Sequence, residues 1–133
     1  MTPFPYSVQL NDTLRVAGEL MLEHGIRHLP VLEGTRPVSV VSERDISSAA
    51  TMFSPKPLDS ILVQDACPSA TYIVDLEEKL DRVVEHLAEN HLGSAVVVKE
   101  GRLAGIFTMT DACRCLSQLL QLLDDSGGEP EIA

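Results

Sequence analysis

Gly105-Ile106-Phe107-Thr108-Met109-Thr110-Asp111 stands 66 residues after Ser39-Val40-Val41-Ser42-Glu43-Arg44-Asp45. In each stretch an apolar run ends in a hydroxyl residue, and an aspartate follows three positions on. Extending the comparison at the same offset aligns residues 5–45 with 71–111 without a gap. Nine of the 41 pairs are identical, among them Tyr6/Tyr72, Val8/Val74, Leu14/Leu80, Val31/Val97, Arg36/Arg102 and Asp45/Asp111. Average composition would give about two or three. Apolar positions that differ mostly exchange one hydrophobe for another, as in Val40/Ile106 and Val41/Phe107. The chain is a duplication.

Each copy repeats the same local signals. A short β-type run, Tyr6 to Leu10 or Tyr72 to Leu76, precedes apolar residues at helical spacing, Leu14, Ala17 and Met21 in one copy and Leu80, Val83, Val84 and Leu87 in the other. The spacing predicts a helix ending near Gly25 in copy one and near Gly93 in copy two. Two apolar runs follow, joined by Glu33-Gly34-Thr35-Arg36 and by Lys99-Glu100-Gly101-Arg102, which have the length and glycine of hairpin loops. A second helix is expected up to Pro55 in copy one and to about Leu123 in copy two. Residues 54–68 carry prolines at both ends and a short apolar segment at Ile61 to Val63, which reads as a linker with a helical turn. A unit of about 45 residues is marginal alone. The expected fold is therefore α/β in the α+β sense: two tandem β-α-β-β-α units, residues 4–53 and 69–123, packed sheet to sheet with pseudo-twofold symmetry.

Bulk properties narrow the function. The net charge of −10 opposes binding to a phosphate backbone, so nucleic acid is not an expected partner. No apolar run reaches the 18 or so residues of a membrane span, and the N-terminus lacks a basic stretch followed by an apolar one. A cytoplasmic protein without membrane insertion is expected. Residues 124–133 are acidic and glycine-containing, which reads as a disordered tail. Cys67, Cys113 and Cys115 lack zinc spacing and read as reduced thiols. His24 and His28 have the separation of paired helical metal ligands, but Gly25 between them argues against a shared helix face. No nucleophile elbow, H-E-x-x-H or phosphate loop is present, so an enzyme is not expected.

Each hydroxyl–aspartate pair admits two compatible readings. As a capping box, the hydroxyl accepts from a backbone N–H and the carboxylate reaches back to the start of the helix. As a ligand site, the helix start offers N–H groups and a positive dipole end to a phosphate, while a carboxylate one turn on can accept two hydrogen bonds from the cis hydroxyls of a ribose.

The duplicated pattern, Gly105 to Asp111 and Ser39 to Asp45, resembles the CBS domain family, named for cystathionine β-synthase. The resemblance runs from about Phe4 to Leu123 as two CBS motifs of one stand-alone Bateman module. It implies regulation by an adenosyl ligand, AMP, ADP, ATP or S-adenosylmethionine, held in clefts between the motifs, with magnesium accompanying a nucleotide and no cofactor required. It implies ribose contacts from Asp45 and Asp111, phosphate contacts from Ser42 and Thr108, and base contacts largely from the backbone of Arg27 to Pro30 and Gly93 to Val96. His28, Tyr72, Ser94 and Ala95 belong to the same expected ligand set. It further implies a homodimer pairing helices of two modules in a flat disc, and an effector enzyme or transporter as partner. Copy one departs from the family at Ser39, where glycine is usual, and crowding there supports the alternative of a structural oligomerisation module with empty clefts. By copy, the cations Arg27, His28 and Arg44 group with Asp45, whereas Gly93, Ser94 and Thr110 group with Asp111. An anionic phosphate is thus expected to prefer the copy-one cleft.

Overall fold

The structure, a computed structural model, describes residues 2–3, 6–68 and 71–125. The expected boundaries at residues 4 and 69, and the tail from residue 126, lie outside the described residues. Copy one comprises β2 (Val8–Gln9), α1 (Leu14–His24), β3 (His28–Glu33), β4 (Arg36–Ser42) and α2 (Glu43–Met52). Copy two comprises β5 (Ile73–Asp75), α4 (Leu80–Glu89), β6 (Ser94–Lys99), β7 (Arg102–Thr108) and α5 (Met109–Asp125). Between them lie a 3-10 turn at Leu58–Ser60 and α3 (Val63–Ala66); a strand of two residues, β1 (Thr2–Pro3), precedes copy one.

Each copy pairs a parallel strand with an antiparallel hairpin: β2-β3-β4 in one, β5-β6-β7 in the other, with β1 added antiparallel to the free edge of β7. Both hairpins carry a register shift at equivalent places, Val31/Leu32 and Val97/Val98. The second hairpin turns through Glu100 and Gly101, both at positive φ, the pairing that a tight two-residue turn demands.

The sheets meet on equivalent residues. Pro30 pairs with Val40, and 66 positions later Val96 pairs with Ile106. All four are buried, and Val40, Val96 and Ile106 form one cluster between the sheets. This is the expected sheet-to-sheet packing with pseudo-twofold symmetry. The outer face of each sheet is covered by its own helices. Leu14, Ala17 and Met21 of α1 pack on Leu29, Val31 and Val41; Val83 and Leu87 of α4 pack on Ala95, Val97 and Phe107.

Two sequence expectations are corrected and one, the linker with a helical turn, is extended. First, α4 stops at Glu89 rather than near Gly93. The equivalent of Gly25, the left-handed cap of α1, is His91, with φ 53, so the helix ends where the repeat dictates and not at the next glycine. Second, the apolar segment of the linker belongs to the first core. Ile61 and Val63 are fully buried beside Leu14, and the Leu14 N–H donates to the Ile61 carbonyl at 2.9 Å. Arg15 also donates to Asp59 of the 3-10 turn. Leu80, equivalent to the fully buried Leu14, is 48% exposed, since no such segment among the described residues crosses α4. Third, α5 continues through Asp124 and Asp125, which the tail was expected to include.

Candidate functional site

At the start of α2 the Asp45 Oδ2 accepts from both the Ser42 N–H and the Ser42 hydroxyl at 2.8 Å, and the Asp45 N–H donates to the Ser42 Oγ at 3.1 Å. At the start of α5 the Asp111 Oδ2 accepts from the Thr108 N–H at 2.9 Å and its hydroxyl at 3.2 Å, with the Asp111 N–H returning to the Thr108 Oγ1 at 3.3 Å. The capping box is thus realised twice. It also consumes donors. The Glu43 N–H goes to the Arg27 carbonyl and the Met109 N–H to the Gly93 carbonyl, so two of the first three N–H groups of each helix are committed inside the protein. The expected cradle of uncommitted N–H groups is therefore reduced. In copy one both bonds fall on Oδ2, and Oδ1 has no partner among the described residues.

Each aspartate lines a cleft whose other wall comes from the opposite copy. The first, of about 260 Å³, joins Ser42, Asp45 and Val40 to Thr71, Tyr72, His91, Leu92, Gly93 and Ser94. The second, of about 810 Å³, joins Thr108, Asp111 and Ile106 to Tyr6, Gly25, Ile26, Arg27 and His28. Eight lining positions correspond at the 66-residue offset, among them Tyr72 with Tyr6 and Gly93 with Arg27. Grouping by copy is overturned: Arg27 lies in the Asp111 cleft, together with Arg114, Thr110 and His24, whereas Arg44 lines neither and is exposed. The reason is geometric, since packing sheet on sheet sets each helix start against the other copy's loop.

His28 and Gly93 line both clefts. Burial pushes the His28 imidazole below its ordinary value, and Arg27 lowers it further, against an upward pull from Asp45. Pro30 and Ala95 are buried in the sheets and reach neither lining. Sequence reasoning missed Tyr6 although it named Tyr72. The offset alone points to it. Tyr6 stacks on His24 with centroids 3.6 Å apart, and Tyr72 on His86 at 4.0 Å. His91, Leu92 and Arg114 were also missed, the first because the helix was run past it.

Ser39 does not crowd the cleft. It is buried, absent from both linings, and its Oγ accepts from the Thr71 hydroxyl at 3.0 Å, tying the second linker end to β4. Cys67 lies close by, half-buried, with burial raising its thiol; Cys113 and Cys115 are exposed on α5. No helix among the described residues is long and apolar enough to cross a membrane.

Comparison with known proteins agrees with this architecture. A curated relative, homoserine O-acetyltransferase of Methanocorpusculum labreanum, is 32% identical over 123 residues, which are 91% of this chain and 24% of that protein. The chain spans about a quarter of the length of the curated relatives it matches. Among solved structures, a Vibrio cholerae protein described as an acetoin utilization protein, AcuB, superposes with a TM-score of 0.80 at 25% identity, covering 98% of this chain and 94% of that one. The protein CBSX2, solved in complex with AMP, superposes with a TM-score of 0.74 at 25% identity, covering 90% and 93%. The family model for the CBS domain matches residues 1–51 and 65–118, and the chain belongs to the CBS domain family.

Proposed function

We propose that this chain is a regulatory module that binds an adenosyl ligand, AMP, ADP, ATP or S-adenosylmethionine, in the two clefts between its motifs. The observation that carries the reading is the doubled arrangement of a hydroxyl and an aspartate facing the other copy's tyrosine and loop. A ligand filling either cleft touches both copies. Its binding energy then depends on their relative orientation, which is what a ligand needs to bias a conformational equilibrium. The Asp45 Oδ1 accepts from the ribose hydroxyls, and Asp111 is the ribose-facing residue of the second cleft; Ser42 and Thr108 face the phosphate; Tyr72 and Tyr6, with the loops at Gly93–Ser94 and Arg27–His28, flank the base. The structural likeness to CBSX2, solved with AMP, supports an adenine nucleotide. Magnesium accompanies a nucleotide with several phosphates, and the module requires no resident cofactor and performs no catalysis.

The module, with motifs at residues 4–53 and 69–123, acts as a cytoplasmic homodimer on an effector enzyme or transporter. Support for the homodimer lies on α5, where Leu116, Leu119, Leu122 and Leu123 are exposed on one helix. Calorimetric titration of AMP into the wild type and into Asp45→Ala and Asp111→Ala tests the ligand reading. Each substitution is expected to weaken or remove one site while far-UV circular dichroism stays native. Unchanged binding in both variants overturns the ribose assignment.

A further inference from the structure

We propose that the two clefts divide ligands by charge: the Asp111 cleft takes an adenosyl compound with an anionic phosphate chain, and the Asp45 cleft takes an uncharged, nucleoside-sized one. This rests on the adenosyl reading above and extends it. An aspartate, a hydroxyl residue and a tyrosine line each cleft. What remains is set by the pairs that differ.

Arg27 stands where the Asp45 cleft has Gly93, and Arg114 stands 66 positions after Ser48. The Asp111 cleft is thus lined by two guanidinium groups, which are always charged and suited to phosphate. The Asp45 cleft has no lysine or arginine among its described lining residues. His28 faces both clefts, so it does not distinguish them. Arg27 has one competing partner, Glu43 at 3.8 Å. Both side chains are exposed, Arg27 by 84%, and an open pair of that length contributes little, so the guanidinium can turn to a phosphate.

Size sorts the clefts in the same way. At about 810 Å³ the Asp111 cleft lies within the range of about 300–1,000 Å³ usual for small-molecule sites, whereas the Asp45 cleft, about 260 Å³, falls just below it. The difference has an identifiable source: His91 lines the small cleft where Gly25 lines the large one.

Isothermal titration with ATP and with adenosine, without magnesium and at low salt, tests the division in three proteins. The wild type is expected to bind one ATP per chain. Arg27→Ala combined with Arg114→Ala should weaken ATP about a hundredfold, roughly tenfold per lost charged contact, and change adenosine affinity by less than about threefold. The reverse graft, Ser48→Arg with Gly93→Arg, should raise ATP stoichiometry to two per chain. A Cβ at Gly93 meets only the His28 Nε2 at 3.5 Å, an ordinary contact, so the graft is sterically admissible. ATP binding that survives the double alanine change, or an equal loss for adenosine, overturns the division and leaves the adenosyl reading standing. A wild type that binds neither compound overturns both.

Discussion

Replacing Ile61 with alanine probes the least expected part of the fold, the linker segment that completes the first core. Ile61 is 1% exposed and clusters with Leu14, Val63, Leu29 and Val41, while its carbonyl accepts from the Leu14 N–H at 2.9 Å. The backbone just after it is pinned as well, Val63 N–H to the Asp12 carbonyl at 2.8 Å and Gln64 N–H to the Leu10 carbonyl at 3.0 Å, so the site cannot readily collapse around a smaller side chain. Truncating a fully buried isoleucine costs about 2–5 kcal/mol, and a pinned site belongs near the middle of that range, about 3 kcal/mol. For a chain of 133 residues the unfolding entropy is about 0.28 kcal/mol/K, so the expected fall in Tm is about 11 °C. Urea titration and scanning calorimetry in one buffer give both quantities. Ile73→Ala serves as the reference, being 41% exposed on β5, and should lose less than about 1 kcal/mol. Should Ile61→Ala not fold, Ile61→Val, expected to lose about 1 kcal/mol, carries the same comparison. If Ile61→Ala loses no more than Ile73→Ala, the segment is an exposed tether and the account of the first core is wrong.

His28 gives a pH dependence with a definite sign. Its folded pKa lies below the ordinary value of 6.5, so the unfolded chain takes up the proton first. The stability tied to its neutral form is present above pH 6.5 and is lost as pH falls through that value toward the folded pKa; His28→Gln should flatten the fall in urea midpoint between pH 7.5 and 5.5, and an unchanged slope refutes the assignment. Leu116 and Leu119 are 55% and 53% exposed on α5. Changing both to glutamate should convert a homodimer to a monomer in light scattering while leaving circular dichroism native, and a wild type already monomeric at micromolar concentration removes α5 from the interface. His91→Gly relieves a non-glycine residue at φ 53 and should stabilise the chain by about 0.5–1 kcal/mol in urea titration, whereas a loss shows that the side chain holds more than it strains.

Local features of the fold were legible because local physics determines them. The hairpin loops announce their turns through glycine, and both capping boxes follow from a hydroxyl and a carboxylate one helical turn apart. The end of α4 was not legible, because the left-handed position is taken by His91 and the nearest glycine, Gly93, has no positive φ. The burial of the linker segment was not legible for a different reason. Ile61 and Val63 are too few to define a period, and their burial depends on Leu14, which lies far away in sequence.

The site shows the same limit more sharply. The residue types were readable, but which of them face one another was not, since the offset of 66 relates equivalent residues and says nothing of contacts. Pseudo-twofold packing of two sheets sets each helix start across from the loop of the other copy. A cleft is then read correctly only by taking the hydroxyl and aspartate from one copy and the tyrosine and loop from the other. Once that exchange is made, Arg27 leaves Asp45 and joins Asp111, and Arg44 drops out. The cation-rich cleft therefore changes sides, although no residue assignment within either copy has changed. In a duplicated fold of this kind, Arg27 and the aspartate it faces across the cleft belong to opposite halves of the sequence.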